Sequence, residues 1–174
     1  MREWIKKWIK KWADSKPLSN LWLGVTAENQ EQADKRIPIL LSIPAAHRWV
    51  SIEPMLGAID LERGGFSLIR SVKSPSGRKW PGLDLVILGG ETGPGARPMR
   101  PDWVRSVRDQ CASAGVPFFF KGWGKNLDNV AVSDMMELGA SLYARQVFHT
   151  TYEGQRAGRL LDGRTHDYLP WRAK

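Results

Sequence analysis

The sequence predicts an α/β fold: an open parallel sheet or partial (β/α) barrel of about four strands with flanking helices, preceded by an amphipathic helix. Three observations carry that prediction. Apolar runs of strand length alternate with segments of helical period, a pattern that builds parallel sheets through right-handed crossovers. The chain has 174 residues and 42% hydrophobic content, enough for a packed core and too apolar for wholesale disorder. Each strand-like run also ends in polar or glycine-rich residues, as the carboxyl ends of parallel strands do.

Residues 1–16 form the first unit, a cationic amphipathic helix. Trp4, Ile5, Trp8, Ile9 and Trp12 share one helical face, and Arg2, Lys6, Lys7, Lys10 and Lys11 share the other. Pro17 and the polar pair Ser19 and Asn20 end it. Residues 17–125 form the second unit, a parallel half-barrel. Its first strand is Leu21–Thr26. A helix follows over Ala27–Ser42, with Ala33, Ile37, Leu40 and Leu41 at three- and four-residue steps and Pro38 marking a kink or early break. Arg48–Ile52 is the second strand, closed by Glu53 and Pro54.

Gly64, Gly65, Pro75, Gly77 and Pro81 mark an inserted loop at about residues 62–82, with a short hairpin around Phe66–Val72. Leu83–Leu88 is the third strand and runs into Gly89, Gly90 and Glu91. Asp102 is placed to cap a helix through Ala114, with Val104, Val107, Cys111 and Ala114 inward and Gly115 as its left-handed stop. Val116–Phe120 is the fourth strand, leading to Lys121, Gly122, Trp123 and Gly124. Residues 126–174 read as a tail of short elements packing back on the same domain.

Composition narrows the function classes. Twenty-six basic residues against 18 acidic give a formal charge of +8, which favours an anionic partner such as nucleic acid, a membrane surface or a phosphorylated small molecule. Part of that surplus sits in the first unit. Nine Trp predict core or interface anchors. One cysteine, Cys111, excludes an internal disulfide, a CxxC zinc site and an iron–sulfur cluster held by this chain alone. His47, His149 and His166 share no metal-ligand spacing, so no metal site is assigned. No apolar run reaches the roughly 18–20 residues of a membrane span and no secretory signal is visible, which gives a cytoplasmic expectation.

The predicted strand ends gather Glu28, Asn29, Glu53, Gly90, Glu91, Arg97 and Lys121 at one rim as candidate ligand-binding residues. Each has a plainer reading. Glu28 and Asn29 also suit a helix cap, and Glu53 a solvated turn. The run Gly89–Gly95 could cradle an anion through backbone N–H groups, yet it matches neither phosphate-loop nor dinucleotide patterns and equally suits an ordinary turn. Arg97 and Arg100 suit anion binding or a solvated basic patch. Lys121, following three Phe at a strand end, is either partly buried or pointed into the rim. Cys111 reads as a small core residue. The first helix could lie on an anionic membrane, contact nucleic acid through Lys6, Lys7, Lys10 and Lys11, or dock its Trp face on the domain.

Three long blocks carry a resemblance: NLWLGVTAENQEQADKRIPILLSIPAAHRWVSIEPMLGAIDL, LDLVILGGETGPGARPMRPDWVRSVRDQCASAGVPFFFKGWG and GRLLDGRTHDYLP. Together they resemble the phage and prophage gp-thirty-seven/gp-sixty-eight family, a radical-SAM-like group, over roughly residues 18–170. The resemblance implies a partial (β/α) barrel. It also implies, for full-length relatives, S-adenosylmethionine and a [4Fe–4S] cluster held by an N-terminal cysteine motif that this chain lacks. The chain corresponds to their C-terminal half and is not expected to be active alone or to carry a cofactor itself. The rim residues match the family blocks.

Two functions follow as expectations. The first is a non-catalytic phage or prophage protein that binds nucleic acid or a host nucleoprotein, as an anti-defence inhibitor of the anti-CRISPR kind does. The second is a split or remnant radical-SAM-type half whose partner chain supplies the cluster. A homodimer or complementing chain would cover the open half-barrel in either case.

Overall fold

A computed structural model of the chain describes Lys7 and residues 17–63, 67–73, 79–125 and 159–172. The strands are β1 (Trp22–Thr26), β2 (His47–Ile52), β3 (Val72–Lys73), β4 (Lys79–Trp80), β5 (Leu85–Gly89), β6 (Phe118–Gly122), β7 (Leu160–Leu161) and β8 (Arg164–Thr165). The helices are α1 (Gln30–Leu41), between β1 and β2, and α2 (Pro101–Ala114), between β5 and β6. A 3₁₀ turn covers Pro170–Arg172.

The main sheet has four parallel strands in the order β1-β2-β5-β6 and does not close into a barrel. Chain order and spatial order coincide, so there is no point at which the winding reverses. Right-handed crossovers in such a sheet all fall on one face. That face is the core. Val50, Ile52, Val86, Leu88, Phe118 and Phe120 pack there against Ala33, Ile37 and Leu40 of α1 and Val104, Val107 and Cys111 of α2. The connection from β2 to β5 has no α-helix among its described residues, yet it adds Met55, Ile59, Leu61, Leu68, Ile69 and Leu83 to the same core. Fully burying an apolar side chain of this size contributes roughly 1.5–3 kcal/mol.

The register gives the opposite face by period two. It carries Trp22, His47, Trp49, Ile87 and Phe119, all half-buried. Trp22 stacks on His47 with ring centroids 4.3 Å apart, and Trp171 meets Trp22 edge-on at 4.8 Å. The β6 edge is occupied by the C-terminal segment: Phe119 bridges Asp167, and the Phe120 N–H donates to the His166 carbonyl at 2.9 Å. Asp162 anchors the same segment to α2, accepting from Arg105 and Arg108.

Several local expectations need correction. Helix α1 runs through Pro38 to Leu41 without breaking there, because burial of Leu40 and Leu41 and the Ser42 N–H bonding back to Pro38 and Ile39 hold the last turn. Asp102 is not the cap of α2. Arg100 occupies that position without a side-chain bond, Pro101 opens the helix, and Asp102 sits in the first turn. Gly115 does close α2 in the left-handed region, at φ 66°. Strand β6 begins two residues later than expected and takes in Lys121, since Val116 is still bonded to the Cys111 carbonyl at the helix end. The hairpin of the insertion pairs Val72–Lys73 with Lys79–Trp80 and so meets the expected Phe66–Val72 only at Val72; Phe66 itself is outside the described residues. Of the Trp side chains described, Trp123 alone is fully in the core, and Trp171 stays 52% exposed.

Most of the first unit and residues 126–158 lie outside the described residues. Among the described residues no helix is long and apolar enough to cross a membrane.

Candidate functional site

The sequential strand order brings every carboxyl end of the sheet to one rim, and two of the predicted residues meet there. Glu53 leaves β2 and Lys121 is the fourth residue of β6, with β5 between them. Lys121 Nζ lies 2.9 Å from Glu53 Oε1. The pair closes over Gly89, where an added Cβ would fall 2.9 Å from Glu53 Oε1 and 3.3 Å from Lys121 Cβ. A side chain at that position would hold the two apart.

Ser51 fixes the other carboxylate oxygen. It is buried, at 7% exposure, and its hydroxyl donates to Glu53 Oε2 at 3.0 Å. Glu53 itself is 21% exposed, whereas Lys121 is 67% exposed. The carboxylate is therefore a positioned group, and the ammonium is a flexible one resting on it. Each carboxylate oxygen can accept more than one bond and an ammonium has three donors, so both groups retain capacity for a ligand.

The other predicted rim residues are turned to local work. Glu28 accepts from Arg36 at 2.9 Å, and Arg36 also donates to the Thr26 carbonyl at 2.8 Å. Asn29 caps α1, its side chain accepting from the Gln32 N–H at 3.0 Å. Gly90 binds through its backbone, its N–H donating to the Gly122 carbonyl at 2.9 Å. Glu91 is held by Arg97, accepting from its Nε at 2.8 Å, its Nη2 at 2.7 Å and its backbone N–H at 2.8 Å. Two of the three predicted rim carboxylates thus bond to arginines, Glu28 to Arg36 and Glu91 to Arg97, the latter itself a predicted rim residue.

The side-chain bonds from Arg97, and then its backbone N–H, hold the Glu91 carboxyl at a pKa of about 2, below its ordinary 4.5. A depressed carboxyl stabilises the folded loop fully above its unfolded value and loses that contribution as pH falls through the folded value. The loop after β5 should therefore stay ordered from neutral pH down to about 4.5 and loosen between there and about 2. Amide exchange at Arg97 followed against pH checks this, and Glu91→Gln should remove the dependence.

The candidate nucleic-acid contacts fare differently. Arg100 pairs with Asp102 at 3.1 Å, and Lys7 is an exposed helical residue. Lys6, Lys10 and Lys11 lie outside the described residues. Elsewhere Arg70 pairs with Glu62, Arg105 and Arg108 with Asp162, and Arg159 with Asp167. Much of the arginine charge of the folded domain is thereby matched pairwise.

Cys111 faces the core from α2, and burial pushes its thiol up to about 12. A protonated thiol in that setting does not fit the ligation of an iron–sulfur cluster, which takes thiolates. Among the described residues no group of three or more His, Cys, Asp or Glu could hold a metal ion. A cavity of about 180 Å³ lined by Asp34, Pro38, Arg63 and Leu68 contains no rim residue.

Ser51 was not among the predicted site residues. Its signal was the strand period: Ser51 and Glu53 stand two apart on one face, as do Phe119 and Lys121.

A family model described as a protein of unknown function (DUF5131) matches residues 1–170. No curated protein and no solved structure matches the chain.

Proposed function

Because this chain belongs to the DUF5131 family, whose description assigns no activity, we propose its role from its rim geometry together with the resemblance to the radical-SAM-like phage family: it is the substrate-binding half of a radical-SAM-like barrel. It takes a small charged ligand at Ser51, Glu53 and Lys121 and relies on a partner chain for cluster chemistry. One observation supports the ligand-binding part of the reading. Four parallel strands in unreversed order place a buried hydroxyl, a positioned carboxylate and a flexible ammonium together at the carboxyl ends, where parallel α/β sheets bind ligands.

In this reading Glu53 and Lys121 bind and orient the ligand, and Ser51 holds Glu53 in place. None of them supplies a nucleophile, and Cys111 takes no part. Backbone amide resonances mapped against a panel of small carboxylates, amines, amino acids and nucleotides test it. The expected result is a response confined to Ser51, Glu53, Gly89 and Lys121 and lost in a Glu53→Gln, Lys121→Met double variant. A panel in which no compound moves those amides would overturn it.

A second reading, a non-catalytic phage-derived binder of nucleic acid or a host nucleoprotein, draws on one specific observation. Five of the first eleven residues are basic, and Lys7 is exposed on a helix. Binding of this kind would reside in the first unit and weaken steeply with salt. Nucleic acid that stays bound after removal of residues 1–16 would argue against that placement.

A further inference from the structure

We infer that residues His166–Trp171 form a strap that holds the edge of β6 at neutral pH and lets go of it in mild acid, with the His166 imidazole as the trigger. Release frees the outer edge of the strand that carries Lys121.

The strap leaves a hairpin that is fixed independently of it. Asp162 and Gly163 turn β7 into β8 with φ of 51° and 77°, the left-handed pair of a tight two-residue turn. Leu161 is fully buried, the Leu160 carbonyl accepts from the Trp123 indole N–H at 2.9 Å, and Asp162 accepts from Arg105 and Arg108. Beyond Thr165 the chain is held by the Phe120 N–H on the His166 carbonyl at 2.9 Å, the Phe119–Asp167 bridge, the Trp171 contact with Trp22 and the His166 ring.

That ring lies edge-on to Phe118, with centroids 5.6 Å apart at 74°. It donates to the Leu161 backbone, and its Nε2 is buried without a hydrogen-bond partner, so the single proton sits on Nδ1. A second proton would sit on Nε2 and find no acceptor, and a buried charged donor left unpaired is costly. The surrounding charges do not offset this. Arg164 of the hairpin and Arg108 of α2 oppose a second cation. Asp162 favours one but is already held by Arg105 and Arg108, and Asp167 is paired with Arg159. Lys121 of β6 stands on the other face of the strand, with Phe119.

Burial, then Arg164 and Arg108, hold the His166 pKa below its ordinary 6.5. A released His166 takes up a proton as pH falls through 6.5 and a docked one resists it, so docking is complete above that value and weakens below it. Asp162, with its pKa lowered from 3.8, stays ionised over this range and keeps the hairpin anchored.

Amide protection at Phe120 in the full chain tests the strap. The reference is Ala27, whose N–H donates to the Ser51 carbonyl on the far side of the sheet. Between about pH 7.5 and about pH 5.5, protection at Phe120 should fall about tenfold while that at Ala27 holds. His166→Asn keeps a donor near the Nδ1 position and has no proton to gain, so its Phe120 protection should not change over the same range. Nitrogen NMR shifts of the parent ring at neutral pH give a reading that needs no variant, and should show a neutral imidazole protonated on Nδ1. A proton on Nε2 would overturn the inference. So would Phe120 protection that holds in the parent, that falls together with Ala27, or that still falls in His166→Asn.

Discussion

Gly90→Ala is expected to lower the unfolding free energy by about 3 kcal/mol and to abolish ligand response at the rim. An added Cβ at Gly90 would fall 2.0 Å from the Trp123 carbonyl oxygen, 2.5 Å from its carbon and 2.9 Å from the Gly124 nitrogen. All three are backbone atoms, so no rotamer change relieves the contact. The two loops are also tied at that crossing, with the Gly90 N–H on the Gly122 carbonyl at 2.9 Å and the Lys125 N–H on the Glu91 carbonyl at 2.8 Å. Making room means parting the ends of β5 and β6, which also shifts Lys121 relative to Glu53. Urea unfolding measures the loss. Gly57→Ala is the control, because an added Cβ there has nothing within 4 Å, and it should change stability by no more than about 0.5 kcal/mol. Equal stability of the two variants would refute the close approach of these loops.

Phe120→Ala should cost about 4 kcal/mol, the range for deleting a fully buried aromatic side chain. Phe120 has 0% exposure, its ring meets Trp123 at 5.0 Å and 71°, and its backbone N–H holds the His166 carbonyl at 2.9 Å. Truncation would leave a cavity where β6, Trp123 and the C-terminal segment converge. The adjacent Phe119→Ala should cost about 1 kcal/mol, because Phe119 lies half-buried on the opposite face. Thermal unfolding of the two variants side by side therefore reads which face of β6 is the core. A larger loss at Phe119 would mean that the two faces are assigned the wrong way round.

Both effects depend on features that differ in how far they could be read from the chain. The period of Ala33, Ile37, Leu40 and Leu41, and that of Val104, Val107 and Cys111, named the buried faces of both helices. The apolar runs located all four strands of the main sheet to within two or three residues, and Gly115 marked the end of α2. The end of β6 was not legible. Whether Lys121 continues the strand depends on a bulge in its pairing with β5, at Leu88 and Gly89, and no local pattern reports a neighbour's register.

What the sequence determined by itself was the α/β class, the core faces and the fact that polar groups end the strands. These are short-range properties, set by backbone periodicity and by the cost of burying polar groups. What only the tertiary structure decided was which of those polar groups meet. Glu28 went to Arg36, eight residues away along the chain, and Glu91 to Arg97, six residues away; Asn29 went to its own helix. Glu53 went to Lys121, 68 positions further along the chain, because β5 alone separates β2 from β6 and carries a glycine beneath the pair. A carboxylate takes the cation that the folded chain brings within bonding distance, and that distance is fixed by lateral strand order, which no single segment encodes.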